Sequence, residues 1–406
     1  MTKDHELPNE GNNQNNSPLE VFLVFLRLGL TSFGGPVAHL GYFREAFVQR
    51  LKWLDDQSYA DIVAVCQFLP GPASSQVGIA IGQMRSGFPG ALAAWLGFTL
   101  PSALLLALFG VSLVAMGDGF TGTWLHGLKV VAVAVVAQAV WGMGKTLAPD
   151  APRATLAVVA AACTVMLPGP AGQVGAILLG GLVGAFLLPA DDGQGTVSQL
   201  HFGVSMRAGV ISLALFFLLL IGLPVLASFF DNTALSMFDS FYRAGSLVFG
   251  GGHVVLPLLE SEVVPAGWVS DDAFLAGYGA AQAVPGPLFT FAAYLGSVSA
   301  VSPTGWAGAA LCLVAVFLPS FLLVIGALPL WGLLRSRKGV GRAMRGINAA
   351  VVGLLLAALY NPVWTYGVKA PMDYVFVLAA FLALDFWKVP PWLVVILGGV
   401  IYGFVG

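Results

Sequence analysis

The chain has 406 residues, of which 58% are hydrophobic and only 9% are charged, and its formal net charge is −2. A soluble domain carries about 25% charged residues, so this composition excludes a water-soluble globular protein and indicates an integral membrane protein. The lack of a basic excess gives no reason to expect a nucleic-acid partner. Because a bilayer forces spanning segments to satisfy their own backbone groups, we predict an all-α, polytopic helical membrane protein.

The first half begins with a polar, Asn-rich stretch, which we predict to be a disordered tail (residues 1–18) without a removable signal peptide. Two apolar regions follow, and each is interrupted: 19–50 by Gly34-Gly35-Pro36, and 58–85 by Pro70-Gly71-Pro72. A bilayer crossing needs about 20 apolar residues. We therefore predict crossings at 88–115 and 122–145 and, from shorter runs, at 153–167 and 170–189.

The second half begins after a linker, 191–234, whose apolar run at 207–230 has no counterpart elsewhere in the chain. We predict one extra membrane helix there. Interrupted apolar segments then return, with breaks at Gly250-Gly251 and at Pro285-Gly286-Pro287. The remaining predicted helices lie at 306–333, 346–360, 372–387 and 391–405.

The two halves are copies of one unit, because the same features recur in the same order. Matching features are Gln67 and Gln282 before the Pro-Gly-Pro turns, Leu100-Pro101-Ser102 and Leu318-Pro319-Ser320, Gly127 and Gly346, and Gly180-Gly181 and Gly398-Gly399. The predicted domains are the tail 1–18, a first repeat at 19–190, a linker with the extra helix at 191–234, and a second repeat at 235–406.

Charged residues in matching loops indicate that the two repeats have inverted topology. Cytoplasmic loops collect Lys and Arg. The stretch after the first glycine break contains Arg44, Arg50 and Lys52, whereas its counterpart contains Glu260 and Glu262 and no basic residue. In the second half, the loop after the predicted helix at 306–333 is basic, whereas its counterpart near 116–121 has no basic residue. The basic residues are Arg335, Arg337, Lys338, Arg342 and Arg345. We predict a multi-pass protein of the cell (inner) membrane, with the N-terminus in the cytoplasm and the C-terminus outside. Whether the broken segments are re-entrant or cross fully stays open.

The Pro-Gly-Pro breaks are the first candidate site. Proline ends a helix, and the helix that restarts after it exposes N–H groups and a partial positive charge, which together favour anions. Broken helices in paired repeats are typical of secondary transporters. Ser74, Ser75 and Thr290 lie in the restarting turns. The alternative is a kink that serves packing alone.

Two arginines form the second candidate, because Arg27 and Arg243 each lie in an apolar run shortly before a glycine break. A charged residue at membrane depth is costly and marks a functional site by default, and a guanidinium fork suits an oxyanion. The alternatives are snorkelling of the side chain toward the interface, or an ion pair with Glu20 or Asp239.

The remaining candidates are glutamines, histidines and glutamates near the breaks, and for the glutamines and histidines a purely structural role is an equally good explanation. The glutamines either bind substrate or cap free carbonyls, and the histidines after the glycine breaks either relay protons or pack. The full predicted substrate-binding set is Arg27, Gly34, Gly35, Gln67, Pro70, Gly71, Pro72, Ser74, Ser75, Arg243, Gly250, Gly251, Gln282, Pro285, Gly286, Pro287 and Thr290. The candidates for proton or ion coupling are His39, Glu45, His253 and Glu260.

Metal and cofactor chemistry finds no support in the sequence. Cys66, Cys163 and Cys312 are far apart and match no metal or redox spacing. We therefore predict no metal, no cofactor and no enzymatic activity. A membrane-embedded enzyme acting on a lipid phosphate is the rival reading, but it needs a nucleophile–base pair or a metal cluster that the chain does not suggest.

With these motifs the chain resembles the chromate ion transporter family in its two-domain form. The resemblance is carried by Phe33-Gly34-Gly35-Pro36 with His39, by Phe249-Gly250-Gly251-Gly252-His253, by the two Pro-Gly-Pro turns, and by Tyr360-Asn361-Pro362-Val363-Trp364. It implies outward transport of chromate and chromate resistance, and some members are linked to sulfate. Gly252 replaces Pro36 in the second copy, so the two breaks need not act identically.

The function we predict is that of a secondary transporter of a tetrahedral oxyanion, with chromate efflux as the main expectation. A sulfate transporter and a passive anion channel are the alternatives. The expected partners are the oxyanion and the lipid bilayer. Glycine-rich helices pack closely within or between subunits, which leaves a homodimer open.

Overall fold

The computed structural model describes residues 17–116, 123–189, 203–249, 252–330 and 338–405. Within these ranges the chain is helical and forms no strand, which confirms the predicted all-α class. Six of the described helices are long and apolar enough to cross a membrane. The predicted tail lies outside the described residues except for its last two, Ser17 and Pro18, which cap and begin the first helix.

The first repeat contains seven helices in the described ranges, and its breaks fall at the predicted motifs. They are α1 (Pro18–Thr31), α2 (Gly35–Arg44, continued by a π-helical turn Glu45–Arg50), α3 (Asp56–Phe68), α4 (Ala73–Met116), α5 (Thr123–Leu147), α6 (Ala151–Met166) and α7 (Pro170–Leu187). The extra helix predicted in the linker is α8 (Met206–Phe229). Few of its residues are buried, as expected for a helix whose surface faces lipid.

The second repeat follows the same order. Its helices are α9 (Thr233–Leu247), α10 (Val255–Val263), α11 (Asp271–Ala281), α12 (Phe291–Val298), α13 (Gly305–Ala327), α14 (Lys338–Ala358), α15 (Pro371–Phe381) and α16 (Pro391–Val405). Short 3-10 turns, Gly252–Val254 and Leu288–Thr290, precede α10 and α12, and π-helical turns follow α14 and α15.

Helix α4 is a hairpin rather than one rod. Ser86 and Gly87 leave the helical region, with Gly87 at φ 61°, and the chain turns back there. The arms 73–85 and 88–116 meet through glycines: a Cβ on Gly82 would lie 2.3 Å from the carbonyl oxygen of Gly90. Gly296 and Gly308 make the same contact between α12 and α13, at 2.2 Å. Each repeat therefore has a short helix that returns beside a long one.

Polar residues at the helix starts explain where several helices begin. Asp55 caps α3, because its carboxylate accepts hydrogen bonds from the backbone N–H and the hydroxyl of Ser58 at 2.8 and 2.7 Å. These bonds lower the pKa of the Asp55 carboxyl. In the second repeat the cap is Ser270, and Asp271 and Asp272 lie in the first turn of α11. The acidic residues therefore favour helix starts in both repeats.

The two repeats are interlocked through their C-terminal helices. Helix α5 of the first repeat packs against α15 and α16 of the second, and α14 of the second packs against α6 and α7 of the first. The N-terminal helices pack within their own repeats, α1 against α4 and α9 against α13. The arms of the hairpins then meet at the centre, where Trp95 of α4 contacts Phe317 and Phe321 of α13.

Candidate functional site

The Pro-Gly-Pro turns supply the backbone geometry of the site. Gly71 and Gly286 have φ values of 120° and 97°, a region that residues with a side chain rarely adopt. Each glycine also lies against a serine of the opposite repeat. A Cβ on Gly71 would be 2.9 Å from the Oγ of Ser320, and a Cβ on Gly286 would be 2.9 Å from the Oγ of Ser102. Glycine is therefore required twice over at these turns.

Reciprocal hydrogen bonds tie each turn to the other repeat. The Gly286 N–H donates to the carbonyl of Ser32, which follows α1, over 2.9 Å, and the Gly71 N–H donates to the carbonyl of Val248, which follows α9, over 2.7 Å. Ser32 and Val248 occupy matching positions in the two repeats, as do the glycines. The repeats thus exchange equivalent contacts.

A polar cavity of about 260 Å³ lies beside the second turn and is shared between the repeats. The first repeat contributes Gly34, Gly35 and Gln138, and the second contributes the turn itself and the segment after α15. Its lining includes the polar side chains of Gln138, His253, Gln282 and Lys388 and the backbone of Gly34, Gly35 and Gly286. Five predicted site residues therefore meet in one place: Gly34, Gly35, His253, Gln282 and Gly286.

The cavity favours an anion because its lining offers donors and one cation and, among the described residues, no carboxylate. The Nε2 group of Gln282 is buried and has no hydrogen-bond partner in the described part of the chain. An unpaired buried donor is costly, so an anion that accepts a hydrogen bond from this N–H group would stabilise the site. The ammonium of Lys388 lies 3.7 Å from Asp385 and is largely exposed, which leaves it available to an anion in the cavity.

The first turn forms a separate polar cluster that does not line this cavity. The Nε2 of Gln76 donates to the Pro70 carbonyl over 2.6 Å, and His39 Nδ1 lies 3.3 Å from the Ser74 hydroxyl. The hydroxyls of Ser75 and Ser320 and the Nε2 of His39 are buried without a partner in the described ranges. Pro72 precedes α4 as predicted. On the second turn, Thr290 donates to the carbonyl of Pro287, and Pro285 lies inside the break.

The two arginines lie outside the cavity and differ from one another. Arg27 is exposed on α1 and makes no ion pair with the described residues. Arg243 pairs with Glu262 at 2.8 Å and with Asp239 at 3.2 Å. Arg243 therefore forms the ion pair with Asp239 that was predicted from the sequence as an alternative to substrate binding. A role of either arginine in attracting the substrate stays a prediction.

The remaining candidates are scattered. Gln67 and Glu45 are exposed, and Glu260 is partly buried on α10. His253 lines the cavity, with its Nδ1 2.8 Å from the hydroxyl of Tyr278. Gly250 and Gly251 lie outside the described residues. These assignments stay predictions.

Four polar residues near the turns were not predicted: Ser102, Ser320, Gln138 and Lys388. The serines carried a signal, because Leu-Pro-Ser recurs in both repeats at a position where proline disturbs the long helix. Lys388 also carried one, as a lone base between two apolar runs. Gln138 lies within an apolar helix, and its amide donates to the Leu384 carbonyl over 3.2 Å. Nothing in the linear pattern joins it to a turn more than 100 residues away.

Comparisons with known proteins give the chain its family. The chromate transporter family model matches twice, at residues 19–185 and 235–404. A chromate transport protein of Pseudomonas aeruginosa is 30% identical over 83% of this chain and 79% of its own length. A probable chromate transport protein of Synechococcus elongatus is 25% identical over 90% of this chain and 94% of its own length. A chromate transport protein of Cupriavidus metallidurans is 26% identical over 84% of this chain and 81% of its own length.

No solved structure matches the chain. The described residues contain no group of three or more metal-ligating side chains. The matched family consists of membrane transporters rather than enzymes, and the match spans both repeats. The chain is a multi-pass membrane protein that belongs to the chromate transporter family.

Proposed function

We propose that this protein is a secondary transporter of a tetrahedral oxyanion, that chromate is its substrate, and that it exports chromate from the cell and so confers resistance. The observation that carries the proposal is the cavity beside Gly286, whose lining combines donors from both repeats with one cation and, in the described residues, no carboxylate. The names of the relatives from Pseudomonas and Cupriavidus support chromate as the anion.

The cavity has room for several water-sized molecules, since one water occupies about 30 Å³ of liquid. A small dianion that keeps part of its hydration shell therefore fits. Lys388 supplies charge, and the Gln282 amide supplies a directed donor. We assign Gln138 and His253 to the rim of the same site.

Alternating access would follow from the shared lining of the cavity. Gly34 and Gly35 belong to one repeat and Gln282 and Gly286 to the other, so a rocking motion of one repeat against the other opens or closes the site. The opposite charge of matching loops supports an inverted arrangement in the cell membrane. In this arrangement the N-terminus is cytoplasmic and the C-terminus is outside.

The decisive experiment is a flux assay with the purified protein in proteoliposomes, with chromate and sulfate as separate substrates. We expect saturable chromate uptake and faster exchange when unlabelled chromate is present on the opposite side, which a carrier shows and an open channel does not. Lys388→Gln should reduce chromate uptake at least tenfold. The matched control is Lys369→Gln. Lys369 lies just before α15, whereas Lys388 lies after it, and Lys369 does not line the cavity, so this variant should transport normally.

Three outcomes would overturn parts of the proposal. Wild-type chromate flux in Lys388→Gln would remove the cavity assignment. Flux that follows the chromate gradient without exchange would favour a passive channel. Sulfate uptake with chromate acting as a weak competitor would make sulfate the substrate. The same assay with Arg27→Ala and Arg243→Ala tests the arginine predictions, and wild-type rates in both would reject them.

Export and resistance need a cellular test. A chromate-sensitive bacterium that expresses the wild-type protein should grow at chromate concentrations that stop cells expressing Lys388→Gln. Cellular chromate should fall in step with growth. Equal growth of the two strains, at equal amounts of protein in the membrane, would argue against export.

A further inference from the structure

Two buried carboxylates share one arginine in the second repeat. Asp239 and Arg243 lie on α9, one helical turn apart, and Glu262 lies on α10. One nitrogen of Arg243, Nη2, is 2.8 Å from Glu262 Oε2 and 3.2 Å from Asp239 Oδ2. The Ser240 hydroxyl also donates to Glu262 over 2.8 Å. The side chains of Asp239 and Glu262 are 8% and 9% exposed.

The charges in this cluster do not balance. One guanidinium neutralises one carboxylate, and a second carboxylate beside it adds an uncompensated negative charge in a buried place, which is strongly unfavourable. A proton bound to the pair removes that charge. When two carboxylates share one site, the proton belongs to the pair rather than to either residue.

The helices packed around the cluster carry other charged groups, but the ion pairs of both carboxylates are made with Arg243. The titratable or charged groups that they contribute include Tyr242 on α9, Arg207 on α8, Cys312 on α13, Glu260 on α10, His253 before α10, and Arg342 and Arg345 on α14. Tyr242 donates its hydroxyl to the Phe216 carbonyl instead. Among the described side chains, Arg243 is the cation bonded to the carboxylates.

The first repeat argues against a purely structural role for the acids. Arg27 occupies the position of Arg243, but the positions of Asp239 and Glu262 are taken there by Leu23 and Phe47. The equivalent helix α1 packs on its long partner without any acidic pair. The arginine belongs to both copies, whereas the carboxylates belong to one.

We propose that Asp239 and Glu262 form a proton-binding site that couples proton movement to the oxyanion cycle. This inference rests on the proposed transport function. Binding transfers one proton from water to the carboxylate pair and forms one O–H bond, and release returns the proton to water on the other side. Because Glu262 lies on α10 and its two partners lie on α9, a shift between these helices separates the charges and changes the proton affinity.

Infrared spectroscopy of the purified wild-type protein tests the site without transport. A carbonyl band of a protonated carboxylic acid should be present near neutral pH and should be lost, or strongly reduced, in both Asp239→Asn and Glu262→Gln. Asp231→Asn, an exposed acid just before α9, is the matched control and should keep the band. The proposal is wrong if both variants keep it or if the wild-type protein lacks it.

Flux measurements test the coupling. In proteoliposomes with a pH-sensitive dye inside, wild-type chromate movement should be accompanied by proton movement. Asp239→Asn keeps a balanced Arg243–Glu262 pair, so it should fold and still exchange chromate, but with at least a fivefold loss of coupled proton flux and a flattened pH profile. Unchanged proton flux and pH profile in Asp239→Asn and Glu262→Gln would overturn the coupling. If the wild-type protein moves no chromate, the proposed function fails, and the infrared result still decides whether the pair binds a proton.

Discussion

Gly346 of α14 touches Gly180 of α7 so closely that a Cβ on Gly346 would lie 2.0 Å from the Gly180 carbonyl oxygen. The matching contact in the other direction joins Gly127 of α5 to Gly398 of α16, at 2.6 Å. Both contacts cross between the repeats. The helices that hold the two repeats together therefore pack backbone against backbone, as small residues permit in membranes.

The first prediction concerns this contact. Gly346→Ala should destabilise the protein by about 1–3 kcal/mol, because the added methyl group forces α14 away from α7. Gly144→Ala is the matched control: it lies in α5 with nothing within 4 Å of an added Cβ, and alanine is about 1 kcal/mol better than glycine within a helix. Thermal unfolding in detergent should show opposite shifts. A loss of stability no larger in Gly346→Ala than in the control would contradict the packing.

The sequence predicted the helices and their breaks well, because apolar length and Pro-Gly-Pro turns are local signals. Duplication also predicted that Gly127 corresponds to Gly346 and that Gly180 corresponds to Gly398. It did not predict that Gly346 meets Gly180 while Gly127 meets Gly398. The correspondence between the copies identifies residues at equivalent positions. It does not show whether their contacts form within one repeat or between the two repeats.

The candidate site was predictable only in part for the same reason. Gly34, His253, Gln282 and Gly286 were all singled out, yet they come from both repeats, and only their packing reveals that they share a cavity. Lys388 reaches it from the end of α15, far along the chain. The two repeats also differ chemically here, because Gly169 occupies the position in the first repeat that matches Lys388. Lys388 therefore has no basic counterpart at the matching position of the first repeat.

A second prediction uses the unpaired hydroxyl of Ser320. Its Oγ is buried beside Gly71 and has no partner among the described residues, whereas Ser102 Oγ donates to the Thr99 carbonyl over 3.1 Å. The first turn is assigned from the sequence to the substrate site in addition to the second, and this assignment predicts that Ser320→Ala raises the KM for chromate roughly tenfold, since a hydrogen bond to a charged group contributes about 1.5–3 kcal/mol. Stability should change little. Ser102→Ala should change the KM less than twofold, and equal effects would remove the first turn from the site.

A third prediction concerns Gly286. Gly286→Ala should abolish most transport, because the new Cβ is strained at φ 97° and meets the Ser102 hydroxyl and the Phe98 carbonyl at 2.9 and 3.2 Å. The hydrogen bond to Ser32 would be displaced with the turn. Gly267→Ala has a similar backbone strain, at φ 69°, but nothing within 4 Å, and it should retain transport. Adding Ser102→Gly to Gly286→Ala should restore part of the flux, and a failure to separate Gly286→Ala from the control would reject the turn as part of the site.

The last prediction concerns the orientation of the repeats. After replacement of the three native cysteines, single cysteines are introduced at the exposed positions Gln49, Asp231 and Ala266. Basic residues surround Gln49, whereas acids surround Ala266, and basic loops stay in the cytoplasm. A membrane-impermeant thiol reagent should therefore label Asp231→Cys and Ala266→Cys on intact cells, and Gln49→Cys only after permeabilisation. Asp231 lies just after the end of α8. Labelling of Asp231→Cys from outside would show that α8 crosses outward, so that the second repeat begins on the outer side of the membrane. Labelling of Gln49→Cys and Ala266→Cys from the same side would mean that the repeats are parallel, and the exchanged contacts would then be related by an axis along the membrane normal.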